Sequence, residues 1–298
     1  MSEEQAGRLS FLRWGLRYYS VLFFLGYPIL GAFFSLPDFS IKNLIKLIFF
    51  GFFNLLFLFQ VFMFNDWGDY QFNPDEAQRR SRQALKHPEL VSERQILALC
   101  IILALISILG IFALSLNSAA VVIVVYLINL FYSHPRLSLK KMPALAELAH
   151  LLGGGLYFLS GWLLFEKPSG FSLLLAGFFG TILMAGNFPN QIEHFEEELK
   201  SGLRTSAIAF GKRQVHNFSL WLFVLSSVYL FAVMIFHSKN PFFIGSGIFL
   251  IISWLGVIFS ARNDLFLKNI SKLRQIIRII YAIFSLILIF GIFWEKLR

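Results

Sequence analysis

The chain reads as an all-α protein: a polytopic membrane helical bundle of about nine transmembrane helices. Three observations carry that reading. Hydrophobic residues make up 57% of the 298 residues and charged residues only 14%, with a mean hydropathy of +0.69, an apolar content that no soluble globule needs. The apolar residues form continuous membrane-length runs, not the alternation of an outer-membrane barrel. The basic residues gather in every second segment between runs.

Taken in order, the first run, 15–35, follows a polar N-terminus and is long enough to stay as a span, so no cleavable signal peptide is read. The second, 44–64, leads into a polar stretch, 65–94. The third, 95–115, holds the single cysteine, Cys100, which has no partner for an intramolecular disulfide or a metal site and reads as a small lipid- or core-facing residue. The fourth, 118–133, is short. The fifth, 144–165, contains Gly153-Gly154-Gly155, which lies inside a span and reads as a helix-packing surface. His150 in the same run reads as a satisfied interior histidine. The sixth run, 171–187, opens into a second polar stretch, 188–216. Runs 217–237, 241–260 and 276–295 complete the set. Residues 1–298 read as one integral domain with no linker.

The net charge of +9 is uneven. Arg8, Arg13 and Arg17 precede or open the first run, and Arg79, Arg80, Arg82, Lys86 and Arg94 lie between the second and third. Arg136, Lys140 and Lys141 follow the fourth; Lys200, Arg204, Lys212 and Arg213 follow the sixth; Arg262, Lys268, Lys272 and Arg274 follow the eighth. With nine spans, all of these segments share one side. The other side's loops offer little beyond Lys42, Lys46, Lys167 and Lys239. The positive-inside rule then predicts a multi-pass protein with a cytoplasmic N-terminus and both polar stretches as a cytoplasmic cap. Basic residues scattered over short loops argue against a nucleic-acid partner.

The chemistry lies in the two polar stretches. Asn65-Asp66-Trp67-Gly68-Asp69 continues to Asn73-Pro74-Asp75, and Asn190-Gln191-Ile192-Glu193-His194 continues to Glu196-Glu197-Glu198. An offset of 125 residues takes Asn65 to Asn190, Asp66 to Gln191, Asp69 to His194, Asn73 to Glu198 and Arg79 to Arg204. This suggests a duplicated helical unit, with a coincidental match as the alternative. On a helix, Asn65, Asp66, Asp69 and Asn73 share a face, and the pre-proline restriction predicts a helix end near Asn73. Oxygen ligands at such an end suit magnesium, which leaves part of its shell to water and phosphate. In the second stretch Asn190, His194 and Glu198 follow i, i+4, i+8, beside Gln191. Glu193 and Glu197 form a neighbouring stripe, and Glu196 reads as solvated. Histidine is a poor magnesium ligand, so His194 reads as a hydrogen-bond donor to phosphate or to a glutamate, and Glu198 as the oxygen ligand. Arg79, Arg82, Lys140, Lys141 and Arg204 supply phosphate-binding cations.

These residues resemble the UbiA-type family of intramembrane prenyltransferases. Asn65, Asp66 and Asp69 match the family's Asn-Asp-x-x-Asp-x-x-x-Asp element, with Asn73 in place of its last aspartate. His194 and Glu198 stand where the family has Asp-x-x-x-Asp, followed by Gly202-Leu203-Arg204-Thr205 and Phe210-Gly211. Tyr132-Ser133-His134-Pro135-Arg136-Leu137-Ser138-Leu139-Lys140 is similar to a third element, from which Arg136 and Ser138 depart. The resemblance implies a helical bundle around a central cavity with a polar cap. It implies an enzyme that transfers a prenyl group from a Mg2+-bound prenyl diphosphate to a lipophilic, often aromatic, acceptor in the lipid bilayer. By the same resemblance Asp66, Asp69, Lys140 and Glu198 are the expected catalytic residues, with Asp66, Asp69 and Glu198 on the metal. Asn65, Arg79, Arg82, Tyr132, Lys140, Asn190, His194 and Arg204 are the expected diphosphate contacts. A carbocation formed this way needs a dry, aromatic site, and the chain has 37 phenylalanines. Two other readings stand beside this one: a multi-span transporter, against which the charges cluster at one face instead of mid-span, and a family member that binds without catalysing.

Overall fold

The computed structural model describes residues 17–72, 92–261 and 269–297; Asn73, Arg79 and Arg82 lie outside them. The described residues form helices α1 (Tyr18–Ser35), α2 (Ile41–Phe72), α3 (Glu93–Leu114), α4 (Leu116–Ser133), α5 (Pro143–Trp162), α6 (Gly170–Glu193), α7 (Phe195–Lys200), α8 (Ser206–Phe210), α9 (Lys212–His237), α10 (Pro241–Ala261) and α11 (Ile270–Lys296), with one 3-10 turn at Leu139–Lys141. No strand occurs among them. Eight of these helices are long and apolar enough to cross a membrane. The remaining long helix, α5, carries Glu147, His150 and a triple glycine, and packs against α1, α4 and α6.

Local chemistry fixes several helix starts. Ser92 and Gln95 form a reciprocal capping box at α3, as do Ser169 and Ser172 at α6. Ser115 caps α4, and Asn269 caps α11. The helix ending the first polar stretch runs through residue 72, eight residues beyond the apolar run, because Asn65, Asp66 and Asp69 continue the helical spacing into the polar segment.

Successive long helices are neighbours, and α11 packs back on α1, so the bundle closes as a ring, with α5 also in contact with α1. The inner contacts depend on missing side chains. A Cβ at Gly155 would lie 2.8 Å from the Ala176 carbonyl oxygen, and one at Gly154 would lie 2.9 Å from that of Phe179. Gly154 and Gly155 are thus the α5–α6 packing surface, while Gly153 lines the central cavity. Gly31 and Gly161 let α1 and α5 approach in the same way. The core around them is aromatic: Phe158 stacks on Phe179 at 4.4 Å, and Phe223 on Trp254 at 4.0 Å. Large apolar side chains such as Phe236, Ile41 and Ile252 stay exposed on the outer surface, as a lipid-facing wall requires.

The repeat is visible in the architecture. Helices α1 and α5 begin at residues 18 and 143, and α4 and α10 at 116 and 241, so both pairs are separated by 125 residues.

Candidate functional site

The ring encloses a cavity of about 330 Å³ between its two halves. Four positions of α2, Leu58, Val61, Phe62 and Asn65, line it, and so do Leu183, Gly186, Asn187 and Asn190 of α6. These are the same four positions displaced by 125 residues. The i, i+3, i+4, i+7 spacing is one helical stripe, so each half offers one face of one helix to the same space. Phe23, Phe24 and Phe57 add apolar wall, and Tyr132, His150, Arg17, Arg274 and Arg278 add polar groups.

At the polar end of α2 the two carboxylates meet cations from elsewhere. Asp66, fully buried, forms an ion pair with Arg17. Arg17 holds a left-handed backbone (φ 45°, ψ 42°) ahead of α1, which costs a non-glycine residue about 1–2 kcal/mol. Asp69, one turn after Asp66, forms an ion pair with Lys140 from the 3-10 turn. Ser133 at the end of α4 donates to the Asn65 side-chain oxygen at 3.2 Å. That contact depends on Gly68, where a Cβ would strike the Ser133 carbonyl oxygen. The Asn-Asp-Trp-Gly-Asp segment therefore docks α2 on α4 and turns Asn65 toward the cavity.

The matching end of α6 carries an amide and an imidazole at the two equivalent positions. Gln191, where α2 has Asp66, donates to Glu147 of α5 at 2.8 Å and accepts from the Ala207 backbone N–H at 3.1 Å. Glu147 also accepts from Asn187 at 3.3 Å and from Ser206 at 2.9 Å, tying α5, α6 and α8 together. His194, where α2 has Asp69, sits at the junction of α6 and α7, and its Nδ1 is 2.8 Å from Glu197. The helical hydrogen bonds from the His194 N–H to Asn190 and from the Glu198 N–H to His194 cross that junction, so Asn190, His194 and Glu198 keep their stripe. Glu193 pairs with Arg274 of α11, and Glu196 with Lys212. After Glu198 the chain reverses through a Schellman motif: the Gly202 N–H bonds to Leu199 and the Leu203 N–H to Glu198, with Gly202 at φ +66°.

Tyr132 joins the halves. It lines the cavity and packs edge-on against His150 at 4.9 Å between ring centroids. His150 does have a satisfied ring nitrogen, as its Nδ1–H donates to the Ala146 carbonyl at 2.8 Å, yet the residue is also part of the cavity wall. Of the sequence-predicted site residues, Asn65, Tyr132 and Asn190 line the cavity. Asp66, Asp69 and Lys140 form the ion pairs beside it, and His194 and Glu198 sit at the α6–α7 end. Arg204 is exposed between α7 and α8, and Arg79 and Arg82 lie outside the described residues. Arg17, Glu147, Arg274 and Arg278 were not singled out as site residues. Glu147 and Arg278 had a visible signal, since each is an ionisable residue inside a predicted span.

Among the described residues no three His, Cys, Asp or Glu side chains converge as a ready metal cage. Magnesium does not require one, because it takes one or two carboxylates and completes its shell with water and phosphate. Asp66 and Asp69, adjacent on one helix face and each already paired with a cation, fit that donor set.

The comparisons with known proteins agree with this architecture. The profile of the UbiA prenyltransferase family matches residues 21–274. A UbiA homolog from Archaeoglobus fulgidus superposes with a TM-score of 0.76 at 18% identity, covering 97% of this chain and 100% of that one. The same homolog bound to GPP and Mg2+ gives 0.73 at 19% identity, covering 95% and 99%. A structure described for the biosynthesis of digeranylgeranylglyceryl phosphate synthase in membranes gives 0.68 at 16% identity, covering 98% and 99%. A comparison with curated protein sequences gave no match.

Proposed function

The chain belongs to the UbiA prenyltransferase family, and from that premise we propose that it transfers a prenyl group from a magnesium-bound prenyl diphosphate to a lipophilic acceptor within the membrane. The observation that carries the proposal is that Asp66 and Asp69 follow the cavity-lining Asn65 on one helix, Asp66 paired with the cavity-lining Arg17 and Asp69 with Lys140. A structural relative that binds GPP and Mg2+ supports it.

Bound magnesium supplies charge neutralisation for the departing diphosphate, which eases cleavage of the allylic C–O bond. Asp66 and Asp69 would hold it, with Glu198 as the ligand offered by the second half. Lys140 is a point charge for phosphate oxygens, and Asn65, Tyr132 and Asn190 offer uncharged donors from the wall. His194 contributes through Glu197 or phosphate and not through the metal. The phenylalanine-lined space excludes water and presents ring faces to the allylic cation. No single ring is assigned that role.

The test is incubation of purified protein with magnesium, a panel of labelled prenyl diphosphates and a membrane lipid extract, followed by mass spectrometry. A prenylated product that depends on protein and magnesium supports transfer; intact diphosphates with every chain length contradict it. Both motif ends are assigned to the cytoplasmic face. Single cysteines at Gln78 and Ser201 should then label from the same side of the membrane, and labelling from opposite sides would overturn that orientation.

A further inference from the structure

Among the described residues that line the cavity, the ionisable side chains are Arg17, Arg274, Arg278, Tyr132, Tyr157 and His150. Arginine stays protonated in proteins, and a tyrosine phenol already carries its proton at neutral pH. No aspartate or glutamate belongs to that lining. Glu147, one turn before His150 on α5, is already engaged, since it accepts from Asn187, Gln191 and Ser206. Of the described wall residues, His150 is therefore the one equipped to take up a proton near neutral pH.

Its hydrogen bonding decides which nitrogen does so. A carbonyl can only accept, so the 2.8 Å contact with Ala146 puts the ring hydrogen on Nδ1. The neutral ring then has its lone pair on Nε2, the outer nitrogen, to which no described residue hydrogen-bonds. Tyr132 braces the ring edge-on, with 87° between the planes. Open space lies beside it. Gly153, about one turn later on the cavity face of α5, has nothing within 4 Å of where a Cβ would stand, and neither has Gly186 on the neighbouring α6. His150 stands seven residues into α5, roughly 10 Å along its axis from the end that follows Lys140. It is thus set apart from the groups assigned to the diphosphate.

Prenyl transfer releases a proton. The allylic C–O bond breaks and the diphosphate leaves with its electron pair. A hydroxyl oxygen or ring carbon of the acceptor supplies the pair for the new bond to the allylic carbon, and the hydrogen it carried departs as a proton. We propose that Nε2 of His150 takes that proton, which makes His150 the general base for the acceptor, whose reacting group sits in the space between Gly153 and Gly186. The inference rests on the reading of the chain as a prenyltransferase. The imidazolium keeps its Nδ1–H on the Ala146 carbonyl and returns the Nε2 proton to solvent after product leaves. A base built into the wall removes the proton without admitting water, which would capture the cation.

The experiment compares purified wild type, His150→Gln and His150→Ala with magnesium, a panel of labelled prenyl diphosphates and the membrane lipid extract. Binding of the unreactive analogue geranyl S-thiolodiphosphate with magnesium is measured on each. The analogue should bind all three proteins within about twofold, which shows that the variants are folded with the diphosphate site intact. Prenylated product should fall about 100-fold or more in both variants, the scale of general-base catalysis. Added imidazole should restore product to His150→Ala, whereas pyrazole, of the same shape but a far weaker base, should not. Near-normal product in His150→Gln would overturn the assignment and leave the proton to the departing diphosphate. Parallel loss of the analogue would overturn it by assigning His150 to the diphosphate site or the fold. Equal rescue by pyrazole would reduce the ring to a space-filling role, and rescue by neither would also count against a base. If the wild type itself forms no magnesium-dependent product, the prenyltransferase reading falls and the base assignment falls with it.

Discussion

The two halves of the bundle present the same four helix positions to one cavity and end in different side-chain chemistry. In the first half, Asp66 and Asp69 are carboxylates compensated by Arg17 and Lys140. In the second, Gln191 and His194 occupy those positions, and the nearby carboxylates, Glu147 and Glu197, come from other places in the chain and accept their hydrogen bonds. The backbone repeat thus decides where a group points, and the side chain decides what it can do there. Adjacent carboxylates on one helix face can accept a divalent cation. An amide hydrogen-bonded on both its oxygen and its nitrogen is already satisfied and works as a structural brace. On the proposed function the metal chemistry belongs to the first half, with Glu198 as the proposed contribution of the second, and the hydrogen bonds of Gln191 brace the cavity.

Removing the first half's carboxylates is the largest perturbation. Asp66→Ala and Asp69→Ala should each lower product formation at least about 1,000-fold, since a catalytic metal contributes several kcal/mol. Rates with labelled prenyl diphosphate, alongside an elution profile that confirms folding, check this; near-normal rates in both variants would return the halves to equal standing. A smaller asymmetry is expected within the second half. Glu198→Gln should cost roughly 10- to 100-fold, the scale of disturbing a metal shell. His194→Asn should cost only a few-fold, and His194→Asp should keep or raise activity. Full activity in Glu198→Gln with none in His194→Asn would make the histidine essential and point to a different metal or reaction.

The brace itself should affect stability more than catalysis. Glu147→Gln turns an amide nitrogen toward a site that now accepts from Asn187, Gln191 and Ser206. It should destabilise the protein by about 1–3 kcal/mol, read as a lower Tm in detergent, while the KM for prenyl diphosphate stays close to wild type. An unchanged Tm with a raised KM would place Glu147 in the substrate site instead. The smallest effect is expected at Gly202, whose φ of +66° favours glycine. Gly202→Ala should cost about 1 kcal/mol by straining the reversal after Glu198, again read as a Tm shift.

The long helices were legible in the apolar runs because membrane-length hydropathy is a strong signal, and the offset of 125 residues pointed to helices that do begin 125 residues apart. The reach of α2 into the polar stretch was legible too: hydropathy alone would stop at residue 64, but the helical spacing of Asn65, Asp66 and Asp69 and the pre-proline restriction placed its end near Asn73, and the helix runs through Phe72. Asn65, Tyr132 and Asn190 were readable as motif residues, and they line the cavity. The ion pairs were not readable: Arg17 reaches Asp66 across 49 positions, and Arg274 on α11 reaches Glu193 at the end of α6, contacts that only the folded bundle creates. His150 shows the limit of a one-residue reading, because a histidine can be satisfied at one nitrogen and still form cavity wall.

The central claim is that the first half's carboxylates make prenyl-diphosphate cleavage depend on magnesium. Diphosphate release from geranyl diphosphate by purified protein in nanodiscs, with the membrane lipid extract as the source of acceptor, tests it most directly. The account predicts release that saturates with magnesium, stops in EDTA, returns when magnesium is restored, and is lost in Asp66→Ala. Release that persists in EDTA, or that Asp66→Ala leaves intact, would contradict it.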